Sequence, residues 1–379
     1  MQGYVTGVGK TRFGPTSHSM VRLAQAAIRD ALVDAALTPD DIGCVIVSNF
    51  LGGPNDSQLH LNSVIMGTMP GVFVPSWRTE AACASGGVAI HQALMAAREY
   101  GMVLVVGVER MTDVVSADLT RNIGMAGDAL LDQAAGLNFP ASYALVAQEH
   151  MKAYGTSTRD LELVSLKNHG NANHNPKAHF HAKKVTQADI DAGATVAAPL
   201  RLFDCCPVSD GAAAVVITAE RRTERDVPIL ASAVMTDAIS LMQRITTTSF
   251  PAAVAAADAA YEQAGVGPGD ISFAQVHDCF TIAEVIAYED LGFAEAGSGS
   301  RLIQDGTTYL NGGLPVNTDG GLKAGGHAIG ATGVSQIIEA VTQLRGEAGS
   351  RQVPNPCVGL THNVGGVGGT CAVHILGGL

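Results

Sequence analysis

Short apolar runs alternate with segments of helical period along most of the chain. Residues 30–50, DALVDAALTPDDIGCVIVSNF, read as the end of an Ala-rich amphipathic helix, a turn closing on Asp41-Ile42, and a short apolar strand. Residues 258–280, DAAYEQAGVGPGDISFAQVHDCF, repeat that order, with the turn closing on Asp270-Ile271. With one extra residue in the second turn, Ser48 falls opposite His277. A second pair of Gly-led apolar strands supports the first: GAAAVVI at 211–217 and GTCAVHI at 369–375. The polar stretch AERRTERDVP at 219–228 separates the copies, so the halves are about 1–220 and 228–379. Helices between apolar strands in both copies predict a layered α/β architecture. The first copy is longer by a surplus at about 115–205, which reads as a loop domain or lid inserted into the first half.

Composition narrows the class. At 379 residues the chain exceeds one ordinary domain, in keeping with the duplication. Its 47% hydrophobic and 15% charged residues exclude a disordered or coiled-coil chain and point to a large core with buried subunit contacts. A net charge of −12 argues against sequence-independent nucleic-acid binding. No apolar run approaches the ~18 residues of a membrane span. The N-terminal stretch lacks the apolar region of a signal peptide and predicts a strand followed by a loop; the C-terminal HILGGL is not a peroxisomal address. Seven cysteines, an odd number with no CxxC pair, are poor material for disulfides, and the cytoplasm is the expected compartment.

The candidate chemistry lies in a few segments. Cys83 sits where an apolar approach meets Ser85-Gly86-Gly87, which opens a helix predicted to run to about Arg98. A thiol at a helix N-terminus meets a dipole and free N–H groups that favour the thiolate and can hold an oxyanion. Small neighbours keep that sulfur open to a bulky substrate. His327, in GGLKAGGHAIGATG at 320–333, has the glycine surroundings of a histidine close to bound ligand and supplies the base a cysteine nucleophile needs. His277 and Cys279 end the repeat's strand, and their i, i+2 spacing places both on one face if the strand continues so far. No metal site is expected there, because zinc needs further ligands at matching spacing. HNVGGVGG at 362–369 is a glycine-rich loop of the kind that presents N–H groups to anions. The run holding His169, His174, His179 and His181 reads as a solvated loop, and Cys205, Cys206 and Cys371 as packing.

Taken in order, CASGG at 83–87, GVERM at 107–111, KNHGNANHNPKAH at 167–179, CCPVSDGAAAVV at 205–216, HDCF at 277–280 and GGHAIGATG at 325–333 resemble the thiolase family, and within it the sterol-carrier-protein-type branch. The resemblance spans essentially the whole chain. It implies a duplicated five-layer αβαβα thiolase fold, assembled as a homodimer or homotetramer. It implies ping-pong chemistry on acyl-CoA and CoA, with CoA a substrate and no bound cofactor. Cys83 would attack a 3-oxoacyl-CoA with His327 as its base. Cys279 would take the acid/base role of the Cys-x-Gly cysteine, which is absent where Asn363-Val364-Gly365 stands. His277 would join one oxyanion hole, and the backbone N–H groups of Cys83 and of Gly365 or Gly366 would form the other. The family's proline after the base histidine is Ala328 here.

Three other readings compete. Cys83, His277 and His327 also form the set of a ketosynthase-type condensing enzyme, but Cys279 has no use in a decarboxylating condensation. A thiolase-like aldolase of steroid side-chain breakdown would lack Cys83. A non-enzymatic subunit fits the retained chemistry poorly, although some sterol-carrier-like thiolases work beside a small accessory subunit.

Overall fold

The computed structural model describes residues 2–378. The first half runs through β1 (Gly3–Lys10), α1 (Met20–Asp34), β2 (Cys44–Ser48), α2 (Gly52–Asp56), α3 (Leu61–Met66), β3 (Ser76–Thr79), α4 (Ser85–Tyr100) and β4 (Val103–Glu109). An excursion follows with α5 (Ser116–Gly124), α6 (Phe139–Tyr154), α7 (Thr158–Ala172), α8 (Gln187–Asp191) and the short hairpin β5 (Thr195–Ala197) and β6 (Leu200–Arg201), before β7 (Gly211–Thr218) closes the half. The second half holds β8 (Val227–Thr236), α9 (Pro251–Ala264), β9 (Phe273–Gln275), α10 (Thr281–Asp290), α11 (Gly299–Gln304), α12 (Gly321–Gly325), α13 (Thr332–Leu344), β10 (Val358–Gly365) and β11 (Thr370–Gly377).

Local sequence explains the main elements. Ser19 caps α1 by accepting the Arg22 N–H, and Met20, Leu23, Ala24, Ala27, Ile28, Ala31 and Leu32 fall at helical spacing on the buried side. Burying Leu23, Ile28 and Leu32 contributes about 1.5–3 kcal/mol each before chain entropy is subtracted. α9 starts on Pro251 and ends at Gly265, whose φ is 70°. In the two repeat turns, the Thr38 and Gly267 N–H groups each donate to an Asp carboxylate three residues on, Asp41 and Asp270, both at 2.8 Å. The predicted pairing of the copies is therefore a repeat of hydrogen bonding as well as of letters.

Nine strands form one sheet in the order β3-β2-β4-β7-β1-β8-β11-β10-β9. Reading outward from the centre, β1, β7, β4, β2 in one direction match β8, β11, β10, β9 in the other, and the parallel and antiparallel pairings match as well. The halves join where β1 runs antiparallel to β8, with Tyr4 opposite Pro228. Helix α1 packs on β1, β4 and β7, and α9 on β8 and β11, so each outer helix covers its own half. α4 and α13 touch each other and strands of both halves, which makes them the middle layer. With α4 and α13 held between the two halves of the sheet and α1 and α9 outside them, the layers follow the expected αβαβα order. Strands such as β4, VLVVGVE, are buried throughout because both faces are covered.

The central helices meet at their N-termini. A Cβ on Gly333 would lie 2.2 Å from the Gly87 nitrogen, and one on Gly86 would lie 2.7 Å from the Gly333 nitrogen. Only glycines allow that approach, and it brings the residues just before α4 and α13 together. The excursion between β4 and β7 packs mainly on the opposite half: Tyr143, Val146, Leu161 and Val164 share a core with Ile282, Val285 and Ile286 of α10. A buried ion pair between Lys167 and Glu284 and a hydrogen bond from Asn168 to Asp278 (2.7 Å) tie the same surfaces.

Candidate active site

Cys83 stands in the turn between β3 and α4. Ala82 before it has φ 49°, a left-handed conformation that costs an alanine ~1–2 kcal/mol. The Ser85 hydroxyl holds the turn, accepting the Ala81 N–H at 2.8 Å and donating to the Ala82 carbonyl at 2.5 Å. The Cys83 side chain stays partly accessible, whereas His277 and His327 are buried. His327 occupies the loop before α13, the place that Cys83 holds before α4.

The Cys83 Sγ and one ring nitrogen each of His277 and His327 lie within 4.8 Å of one another. The two rings cross at 86° with centroids 5.4 Å apart. Their hydrogen bonds assign them opposite roles. The Thr332 hydroxyl donates its one proton to the Ala328 carbonyl (3.1 Å), so at its 2.8 Å contact with His327 Nδ1 it accepts. His327 therefore carries its proton on Nδ1, and its Nε2, which has no partner, offers a lone pair. Asn363 fixes the other ring. Its Oδ1 accepts the Gly87 N–H (3.0 Å), so Nδ2 is the atom that donates to the Cys83 carbonyl (2.9 Å) and to His277 Nδ1 (3.2 Å). His277 then carries its proton on Nε2, also without a partner. One imidazole thus keeps a free lone pair at Nε2 and the other a free N–H, both within the Cys83 cluster.

Desolvation dominates the charges. Burial pushes the Cys83 thiol up to about 12, against the N–H groups of Gly366 and of Cys83 itself. It takes His327 down to about 3 and His277 well below the usual histidine range, the latter helped by the neighbouring rings of His327 and His362. The resting site is thus a thiol between two neutral imidazoles. Burial thus opposes the thiolate that the helix terminus is expected to favour, with the two amides acting the other way.

Other sequence expectations meet mixed outcomes. β9 stops at Gln275, so His277 and Cys279 lie in the irregular segment after it and not on a strand. The Cys279 carbonyl accepts the Cys206 N–H at 3.0 Å. Burial raises the Cys279 thiol well above the usual range, and beside it Tyr143 stacks on Phe280 and donates its hydroxyl to the Gly366 carbonyl at 3.1 Å. Gly366, at φ 63°, is the loop residue whose N–H faces Cys83; Gly365 instead packs against the Ala81 carbonyl. Cys371 is buried in β11. The histidine run is less solvated than expected: His174 is exposed, but His169 is buried and His179 bonds Ser209 at 2.8 Å. Among the described residues, Cys83, His277 and His327 form the one three-residue cluster spaced to hold a metal.

Sequence reasoning missed Asn363, Thr332, Tyr143 and Glu109. Glu109, buried at the end of β4 and pushed up to about 7 by burial, accepts the N–H groups of Phe50, Leu51 and Gly330 and so anchors the His327 loop. The quoted motif GVERM contained it, but nothing in the letters shows what its carboxyl holds.

Comparison with known proteins agrees with this architecture. Residues 2–221 match the thiolase N-terminal domain, and residues 231–378 the thiolase C-terminal domain-like family. The chain is 44% identical to acetyl-CoA acetyltransferase of Methanothermobacter thermautotrophicus, over 98% of both chains. It is 32% identical to sterol carrier protein 2 of Homo sapiens, over 98% of this chain and 71% of the human protein. Among solved structures, the Ltp2-ChsH2(DUF35) aldolase superposes with a TM-score of 0.85 at 26% identity, covering 99% of this chain and 97% of the other. No helix of the described residues is long and apolar enough to cross a membrane. With both domains matched in order and the five-layer fold complete, the chain belongs to the thiolase family.

Proposed function

We propose that this acyltransferase makes and breaks the carbon–carbon bond of a 3-oxoacyl-CoA through an acyl-enzyme on Cys83. The observation that carries the reading is the pair of opposed imidazoles around one sulfur. As Cys83 Sγ attacks the keto carbon, its proton passes to His327 Nε2, which spares the buried site a free thiolate. The N–H groups of Cys83 and Gly366 stabilise the oxyanion on that carbon. Collapse forms the thioester and breaks the C2–C3 bond, leaving the enolate of an acyl-CoA, whose thioester oxygen accepts from His277 Nε2–H. Cys279 delivers a proton to the enolate carbon, and the acyl-CoA leaves. Free CoA then attacks the Cys83 thioester, its thiol proton passing to the Cys279 sulfur that gave one up, and as the C–S bond breaks the Cys83 sulfur takes back the proton held on His327. Run backwards, the same steps are a Claisen condensation.

CoA enters as a substrate, and the chemistry calls for no resident cofactor. The presence of Cys279 beside the Cys83 cluster supports a thiolase over a decarboxylating condensing enzyme, which forms its enolate by losing carbon dioxide. The edge strand β3 with exposed Leu59 and Phe73 nearby supports a homodimer or homotetramer. The aldolase neighbour, solved with a DUF35 protein, supports an accessory subunit as a second arrangement. Seven free cysteines suit a reducing compartment such as the cytoplasm.

Intact-protein mass spectrometry with a panel of acyl- and 3-oxoacyl-CoAs tests the reading. An acyl adduct that maps to Cys83 and is discharged by free CoA is expected. Cys83→Ala should show none, while Cys279→Ala should still acylate yet lose about 10²–10⁴-fold in thiolysis. An adduct that persists in Cys83→Ala would refute the assignment.

A further inference from the structure

We propose that Asn363 is a positioning residue that holds His277 as a hydrogen-bond donor and thereby denies the Cys83–His277–His327 cluster to a divalent metal. The part concerning the donor's use in catalysis rests on the thiolase reading; the part concerning tautomer and metal does not.

The cluster has the makings of a zinc trap. A sulfur and two ring nitrogens within 4.8 Å of one another, with both Nε2 atoms unpartnered, match the ligand types and reach that zinc takes. A metal needs the lone pair of a ring nitrogen, however, and His277 has none to give. To expose one at Nε2 it must move its proton to Nδ1, which faces the Asn363 Nδ2 group at 3.2 Å. Two donors would then meet with no acceptor between them. Turning the Asn363 amide over does not relieve this. It would set Oδ1 against the Cys83 carbonyl and Nδ2 against the Gly87 N–H, breaking bonds of 2.9 and 3.0 Å. Nor can the side chain swing away: Asn363 is buried in β10, paired with Ala372, behind the crossing of α4 and α13. Three fixed backbone and side-chain contacts thus choose the tautomer of one imidazole. His327, whose Nδ1–H is set by Thr332, has its lone pair available, so the second histidine is where the lock has to act.

An aspartate at this position reverses the lock. One carboxylate oxygen still accepts the Gly87 N–H; the other loses the bond to the Cys83 carbonyl, which it now faces as a second acceptor, but it accepts from His277 Nδ1 and so frees the Nε2 lone pair. A carboxylate behind an imidazole is the arrangement that orients histidines for metals.

The test uses the full-length chain with ¹⁵N-labelled histidine, as native, Asn363→Asp, Asn363→Ala and Asn363→Asp/Cys83→Ser proteins. Two-bond ¹H–¹⁵N spectra should show His277 as the Nε2–H form in the native protein and the Nδ1–H form in Asn363→Asp. Titration with Co²⁺ should give no thiolate charge-transfer band in the native protein. A band should appear in Asn363→Asp and vanish in the double variant. Thiolysis by Asn363→Asp, free of metal, should fall on the order of 10²–10³-fold in kcat with little change in KM, as for loss of one oxyanion donor. If the aspartate variant does not fold, Asn363→Ala serves, and His277 there should populate both tautomers. A native protein with His277 as Nδ1–H, or with a Cys83-dependent Co²⁺ band equal to the variant's, would overturn the proposal. So would an Asn363→Ala spectrum identical to the native one. The histidine spectra and the Co²⁺ titration use no acyl-CoA, so failure of the thiolase reading would remove only the thiolysis arm and leave these two intact and separately legible.

Discussion

At the scale of residues, reactivity here is set by single hydrogen bonds. Thr332 is the simplest case: one hydroxyl spends its proton on Ala328 and can only accept from His327. Thr332→Val keeps the shape and removes the acceptor, leaving His327 free to adopt either tautomer. Acylation of Cys83, followed by quenched-flow mass spectrometry, should slow by roughly 10- to 100-fold, part of what positioned proton transfer supplies. Thr332→Ser should restore most of the rate, and an unslowed valine variant would show that Nδ1 needs no partner. Cys83, His277, Cys279 and His327 were legible as letters because each is a reactive side chain in a small-residue or strand-end setting. Asn363 was not. Its partners Gly87, Cys83 and His277 lie 276, 280 and 86 residues away, and an asparagine becomes informative only when those contacts are known.

At the scale of elements, the repeat was readable and its use was not. Turns with Asp41 and Asp270 and the Gly-led strands β7 and β11 carried the duplication, since hydrophobic period and turn chemistry are local properties. The strand expected to carry His277 and Cys279 ended early, at Gln275, because the segment beyond it is held by tertiary contacts: the Cys206 N–H on Cys279 and the Asn168 amide on Asp278. Glycines near Cys83 and His327 suggested room for ligand. Those at 86 and 333 are instead spent on bringing two helices into contact. Gly333→Ala tests this directly, since its Cβ would meet the Gly87 nitrogen and Asn363 Oδ1 at 2.2 and 2.3 Å. Denaturant unfolding should show a loss of about 1–3 kcal/mol, with acylation of Cys83 impaired in the folded remainder. Native stability in that variant would mean the helices can part without cost.

At the scale of the whole molecule, five layers leave many titratable groups without water. His327, His362 and His374 are held at about 3, His169 at about 2 and His277 well below the usual value, chiefly by desolvation. These rings stay neutral in the folded chain but take up protons near pH 6.5 once unfolded. Acidification through that value therefore favours unfolding, by about 1.4 kcal/mol per pH unit for each unmatched proton. Glu109 and Asp290, raised to about 7, and Asp278, raised to about 8, act oppositely, as they hold protons only in the folded state over the same range. The histidines outnumber them, so urea midpoints should fall as pH drops from 6.5 to 4.5. A flat or rising midpoint would mean that the carboxyls prevail.

The seam between β1 and β8 joins two halves that are alike in fold and unlike in chemistry. Cys83 and His327 stand at equivalent stations of the two copies, each in the loop ahead of its half's central helix, yet one carries a thiol and the other an imidazole. The duplicated frame thus presents different chemistry at the same station of its two halves. A chain cut within the exposed stretch Glu220–Arg225 would yield two fragments, each with a hydrophobic layer but neither with a complete reactive set. Only their reunion along that seam would return the sulfur to its two imidazoles.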